Sequence, residues 1–176
     1  MKEPQELLLR ARRFSVVRIA HRVPDGSLHQ YEVVQHPGAV VILPLVTPDR
    51  VCLIRNYRVA VGETLWELPA GTLEPGEEPA VTAPRELLEE TGYRAGRIEK
   101  LTEFFMSPGI LHERMHLFLA TELYEGQARP ESGEEIETHV MSLDEALAMC
   151  DRGQVQDAKT LVGLLWYDRL WQRKNQ

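Results

Sequence analysis

Residues 71–93 read GTLEPGEEPAVTAPRELLEETGY. Glu86, Glu89 and Glu90 stand at i, i+3 and i+4, so a helix brings their carboxylates onto one face. Like charges at that spacing oppose helix formation by roughly 0.2–0.5 kcal/mol per pair. A helix that needed only a solvated face would mix in lysine. The pattern makes sense if a divalent cation sits over the face, since Mg²⁺ and Mn²⁺ are hard ions that favour carboxylate oxygens and water. Arg85 can reach Glu89 at i+4 and hold it in place. Val81, Leu87 and Leu88 lie on the opposite side and attach the helix to a core. The composition predicts a helix over 77–91, ended by Gly92 just past its last turn. Proline inside a helix costs about 3 kcal/mol. A late start, with Thr82 as N-cap and Pro84 in the first turn, avoids that cost and keeps the Glu86–Glu90 face.

Outward from this segment the chain reads mainly as strands. Residues 14–23 and 31–35 flank the turn Pro24-Asp25-Gly26-Ser27 and form a hairpin. Residues 39–46 are continuously apolar, as in a strand buried on both faces, and 51–55 return from the turn at 47–50. Residues 65–68 are a short strand and 71–76 a glycine-containing loop. Strands follow at 98–105, 115–120 and 136–141, around loops at 107–109 and 124–133. Ser142 with Glu145 is a capping box for one helix. Asp157 caps the last, whose stripe is Leu161, Val162, Leu165, Trp166 and Leu170. Strands on both sides of the acidic helix indicate mixed α and β.

Lys+Arg 20 against Asp+Glu 27 gives −7, which argues against general nucleic-acid binding. It leaves room for an anionic small molecule, since local cations or a metal can reverse the sign inside a cleft. Cys52 and Cys150 are too far apart in sequence for a CxxC zinc pair and suggest no disulfide framework. The longest apolar run has eight residues, where a membrane helix needs roughly 20. Leu7-Leu8-Leu9 is preceded by Glu3 and Glu6 and followed by Arg10, Arg12 and Arg13, which is not a secretory pattern. A cytoplasmic protein without membrane attachment is expected. His112-Glu113-Arg114-Met115-His116 has the HExxH spacing of zinc proteases, but lies where a strand is read. Four strand steps span about 13 Å, too far for two ligands at about 2 Å from one ion.

Gly71, Glu77, Arg85, Glu86, Glu89, Glu90 and Gly92 also stand at the defining positions of the Nudix box, with Leu87 and Tyr93 where bulky residues belong. Seven fixed residues at roughly 0.07 frequency match by chance on the order of 10⁻⁸ per start position. The chain therefore resembles the Nudix hydrolases. The resemblance implies a mixed sheet sandwiched between helices, a loop–helix–loop site for Mg²⁺ (Mn²⁺ as substitute), and hydrolysis of a nucleoside diphosphate linked to another group. It implies Glu86, Glu89, Glu90 and the Ala70 carbonyl as metal ligands, with Glu89 and Arg85 also acting in catalysis.

Outside the box, Pro108 lies 15 positions after Tyr93, in Ser107-Pro108-Gly109. That offset, the stretch 31–40, Asn56-Tyr57-Arg58, Leu68-Pro69-Ala70-Gly71 and Asp157-Ala158-Lys159-Thr160 are similar to the ADP-ribose pyrophosphatase subgroup. The similarity covers roughly residues 14–170. It implies Arg58 as a cation for phosphate or ribose, Glu32 near the adenine, and Pro108, Gly109 and Glu113 at the substrate. It implies Glu134 as general base, with Glu135 as the alternative. Tyr31 stands where relatives commonly have arginine. The expected reaction converts ADP-ribose and water to AMP and ribose 5-phosphate. GDP-mannose or UDP-glucose hydrolysis is the nearest alternative, and a sensor that binds ADP-ribose without cleaving it another. The apolar 14–35 hairpin is expected to belong to a segment 1–38 that makes a homodimer with shared sites, ahead of a Nudix domain at 39–176.

Overall fold

The computed structural model describes residues 5–126 and 136–171. The strands are β1 (Gln5–Arg10), β2 (Ser15–Arg22), β3 (Leu28–Gln35), β4 (Ala39–Thr47), β5 (Arg50–Arg58), β6 (Glu63–Glu67), β7 (Ala70–Thr72), β8 (Tyr93–Phe105), β9 (Leu111–His112), β10 (Arg114–Glu125) and β11 (Ile136–Ser142). The helices are α1 (Pro79–Thr91), α2 (Leu143–Asp151) and α3 (Ala158–Trp166), and a π-helical turn, Tyr167–Trp171, follows α3.

The main sheet runs β11-β5-β4-β10-β8, with β6 beside β5 and β7 beside β4. Its β4–β10 pair is parallel and its other pairs antiparallel. Strand β4 lies between two cores. Val40 and Ile42 pack with Ala83 and Leu87 of α1, while Val41, Leu43 and Leu45 pack with Ala146 of α2 and Leu164 of α3. Burial on both faces accounts for the unbroken apolar run. The mixed sheet between helices is the expected fold.

A second sheet, β1-β2-β3-β9, is built on the expected hairpin. Gly26 turns it with φ 89°, and Asp25 Oδ1 accepts from the Ser27 amide at 2.8 Å. The hairpin is not without partners in its own chain. Strand β1, which the sequence reading left out, pairs with β2, and β9 pairs in parallel with β3.

Helix α1 departs from the late start. Glu78 is its N-cap and Pro79 its first residue, so Pro84 lies inside the helix. Pro84 and Ala80 are both exposed, so the carbonyl that Pro84 leaves without a donor faces solvent. Val81 is also exposed; Thr82, Ala83 and Leu87 supply the buried face. Gly92 ends the helix at φ 75°, its amide donating to Leu88 at 2.9 Å. Residues 70–72, read partly as loop, form β7 against β4. Ser142 and Asp157 cap α2 and α3 as expected. Cys52 is buried and Cys150 half-buried, both as free thiols, and burial pushes the Cys52 pKa to about 12. Among the described residues no helix is long and apolar enough to cross a membrane.

Candidate active site

The second half of α1, β7 with the loop that follows it, the start of α3 and the β1–β2 loop line a cleft of about 620 Å³. Its acids are Glu74, Glu86, Glu90, Glu113 and Asp157, and its cations Arg12, Arg13, Arg58, Arg85 and Lys159. A chain of charge −7 thus places a balanced set of charges around its cleft.

The carboxylate half comes from α1. The Arg85 guanidinium donates to Glu77 through Nε at 3.2 Å and Nη2 at 3.0 Å. Its Nη1 donates to Glu86 at 2.8 Å and to Glu89 at 3.0 Å, the i+4 contact expected from the sequence. The hydrogen bond to Glu77 leads the effects that raise the Arg85 pKa, and the same bond lowers that of Glu77. Glu90, nearly buried, accepts from the Ala70 amide at 2.8 Å, which ties the helix to β7. Gly71 leaves the space that the Glu86 carboxyl occupies, since a Cβ on it would fall on that carboxyl. Glu86 and Glu90 face the cleft, whereas Glu89 is not among its lining residues. Among the described residues, no group of three or more His, Cys, Asp or Glu could hold a metal ion as placed. The donors available are carboxylate oxygens, a type that fits Mg²⁺ or Mn²⁺ rather than a soft ion.

The cationic half is assembled from distant segments. Arg58 at the end of β5 donates to Glu67 at the end of β6, Nε to Oε1 at 2.7 Å and Nη2 to Oε2 at 2.6 Å. Lys159 on α3 donates to the same Oε2 at 2.6 Å and to Asp157 at 2.9 Å. The Glu67 side chain is 1% exposed. Burial works against its ionisation, but the Arg58 hydrogen bonds and the Lys159 charge outweigh it and lower the pKa. Thr160 locks the β6–β7 corner: its hydroxyl accepts from the Leu68 amide at 2.7 Å, and Asp157 accepts from the Thr160 amide at 3.0 Å.

The remaining expected residues divide. Glu113 lines the cleft with its Oε1 3.2 Å from His36 Nδ1. Arg58 lines it too, already held by Glu67. Pro108 and Gly109 lie in the turn before β9, where Ile110 and Leu111 donate to the Ser107 carbonyl, and neither lines the cleft. Glu32 lies on the outer sheet, paired with Arg18 at 2.9 Å, away from the cleft of its own chain. Glu134 and Glu135 fall outside the described residues. His112 and His116 sit on β9 and β10, in extended chain. The sequence reading named no role for Glu67, Lys159, Arg12 or Arg13, and gave Asp157 only that of a helix cap. The likeness of 157–160 to relatives was a signal for Asp157 and Lys159, but named no partner for them.

Residues 35–162 match the NUDIX domain. An ADP-ribose pyrophosphatase of Bacillus subtilis (strain 168) is 41% identical over 144 residues, 81% of this chain and 78% of that protein. A GDP-mannose pyrophosphatase of Citrobacter koseri is 36% identical over 150 residues, 78% of this chain and 77% of that protein. A solved structure described as an ADP compounds hydrolase superposes with a TM-score of 0.83 at 24% identity, covering 99% of this chain and 96% of that one. The chain belongs to the Nudix family. It is a Nudix pyrophosphohydrolase, similar to the ADP-ribose pyrophosphatases.

Proposed function

We propose that this chain is a cytoplasmic enzyme that hydrolyses the diphosphate bond of ADP-ribose to AMP and ribose 5-phosphate, with Mg²⁺ as cofactor and Mn²⁺ as substitute. The observation that carries the reading is the pairing, in one cleft, of the carboxylates Glu86 and Glu90 with the cations Arg58 and Lys159. A diphosphate is polyanionic and needs both fixed cations and a metal-binding edge. The similarity to an ADP-ribose pyrophosphatase supports the nucleotide.

Glu86, Glu89 and Glu90, with the Ala70 carbonyl, would hold the ion. When bound, a divalent ion screens phosphate charge and lowers the pKa of its water. Arg85 keeps Glu86 and Glu89 aligned through two hydrogen bonds from one nitrogen. Arg58 offers a planar fork suited to phosphate oxygens. Glu113, set against His36 on the cleft wall, supports the metal or substrate in this reading. Glu134 takes the proton of the attacking water, with Glu135 as the neighbouring alternative.

The N-terminal sheet pairs two copies into a homodimer. Exposed Leu7, Leu9, Leu28 and Tyr31 on that sheet, and a fully exposed edge strand β1, support this. Glu32 would then meet the nucleotide bound in the partner's cleft. The 36% identity to a GDP-mannose pyrophosphatase favours a guanine nucleotide as the second reading.

The test is a panel of ADP-ribose, GDP-mannose and UDP-glucose with Mg²⁺ or Mn²⁺, with products separated by chromatography. ADP-ribose should have the highest kcat/KM and yield AMP. Equal turnover of GDP-mannose would overturn the adenine assignment. Turnover of none of them, with ADP-ribose still bound, would show a sensor. A 20.1 kDa species in sedimentation at micromolar concentration would overturn the dimer.

A further inference from the structure

Glu67 is the one acid of the Arg58–Lys159 network that does not line the cleft. It stands behind the wall, buried, with both carboxylate oxygens committed. Arg58, Lys159 and Asp157 stand in front and reach the open space. Nη2 of Arg58 and Nζ of Lys159 each lie 2.6 Å from one oxygen of Glu67, so they are at most twice that distance apart. Two cations so close would repel each other without a carboxylate between them. A guanidinium has five N–H donors and an ammonium three. Glu67 takes two from Arg58, and Glu67 and Asp157 take two from Lys159. Three donors of Arg58 and one of Lys159 are left by this network.

We propose that Glu67 is a positioning residue that, from behind the cleft wall, fixes Arg58 and Lys159 as a paired receptor for one phosphate of the substrate's diphosphate. This rests on the diphosphate reading above. Glu67 never touches the substrate. It sets the spacing of the two cations and prevents either from swinging to the Glu86–Glu90 carboxylates across the cleft. Asp157 serves the same end for Lys159, and Thr160 anchors Asp157 to the β6–β7 corner through the Leu68 amide. The receptor's spacing is therefore set by backbone at two points rather than by flexible side chains alone.

The test is calorimetric binding of α,β-methylene-ADP, whose two phosphates cannot be hydrolysed apart, with Mg²⁺ present. Glu67→Gln keeps the shape and removes the charge; Glu67→Asp keeps the charge and withdraws it by one methylene. Each should weaken binding roughly tenfold to a hundredfold, the size of a lost charge-assisted hydrogen bond. With substrate, KM should rise by a similar factor while kcat changes less than about threefold, the mark of binding shared by ground and transition states. Lys159→Met should weaken binding on its own, and Glu67→Asp should weaken it by a smaller factor in that background than alone, because only Arg58 is left for Glu67 to position. A purely structural Glu67 would lower the melting temperature and leave the Kd of the folded protein unchanged. Wild-type affinity in folded Glu67→Gln and Glu67→Asp overturns the proposal. So does wild-type affinity in Lys159→Met, whether or not the Glu67 variants fold, and so does failure of the wild type to bind the analogue. If the wild type binds the analogue but hydrolyses no nucleoside diphosphate sugar, the enzymatic reading fails and the receptor stands. If it hydrolyses ADP-ribose while the variants bind normally, the receptor fails and the enzyme stands.

Discussion

Gly71→Ala separates the fold from the chemistry. The glycine pairs with Val40 across β7 and β4, and its added methyl would fall on the Glu86 carboxyl. The obstruction is the far end of a flexible side chain, so Glu86 can rotate away while the strand stays. An off-rotamer side chain costs about 0.5–1.5 kcal/mol. Glu86 also loses its bond to Arg85, but Arg85 keeps Glu77 and Glu89. A total of about 1–3 kcal/mol is expected, at about 2–4 °C per kcal/mol for a chain of this size. The rate should suffer far more. A carboxylate turned out of the cleft cannot serve at the diphosphate, and loss of one such electrostatic group costs about 10²–10³ in kcat. Calorimetry gives the melting temperature, and ADP-ribose turnover at saturating Mg²⁺ gives kcat. In a Glu86→Gln background, Gly71→Ala should add almost nothing to the rate loss, since both remove the same carboxylate. Wild-type kcat in the folded single variant would refute this placement of Glu86, and an unfolded variant would refute the cheap escape of its side chain.

The metal assignment is separable from the substrate. Glu86→Gln and Glu90→Gln should each lower turnover by orders of magnitude with the melting temperature nearly unchanged, and wild-type rates in chelator would sink it. Glu134→Gln should reduce kcat with KM largely in place; if Glu135→Gln is the damaging change, the base is the neighbour. Thr160→Val keeps the shape but leaves the Leu68 amide without its acceptor, so about 1–3 kcal/mol should disappear from denaturant unfolding. Glu67 ionises more readily in the folded state than its ordinary 4.5. Its contribution is therefore complete above the unfolded value and is lost as pH falls through the lower folded one. The acid limb of the wild-type melting curve below pH 4.5 should be steeper than that of Glu67→Gln, and superimposable limbs would contradict it.

The half of the site that was legible in the sequence is the half that local spacing defines. Glu86, Glu89 and Glu90 share a helix face by periodicity alone, and Arg85 meets Glu89 because four residues make one turn. The caps Ser142 and Asp157 act within three residues of themselves, and β4 shows its double burial as an apolar run. Strand β1 had no such mark. All six of its residues are exposed, so no apolar alternation betrays it, and only pairing with β2 makes it a strand. Pro84 misled for a related reason. A helix rule prices the missing donor as if buried, whereas the exposed Ala80 carbonyl can turn to water. The cationic half is tertiary throughout. Glu67 is a carboxylate in a short strand, and nothing within four positions could neutralise it; Arg58 and Lys159 do so from nine and 92 residues away. A buried acid is tolerable only when paired. An acid in such a strand, flanked by Leu65, Trp66 and Leu68, therefore signals that cations must arrive from elsewhere in the chain. Here both that arrive also line the cleft, so the demand of one buried charge accounts for where the receptor stands.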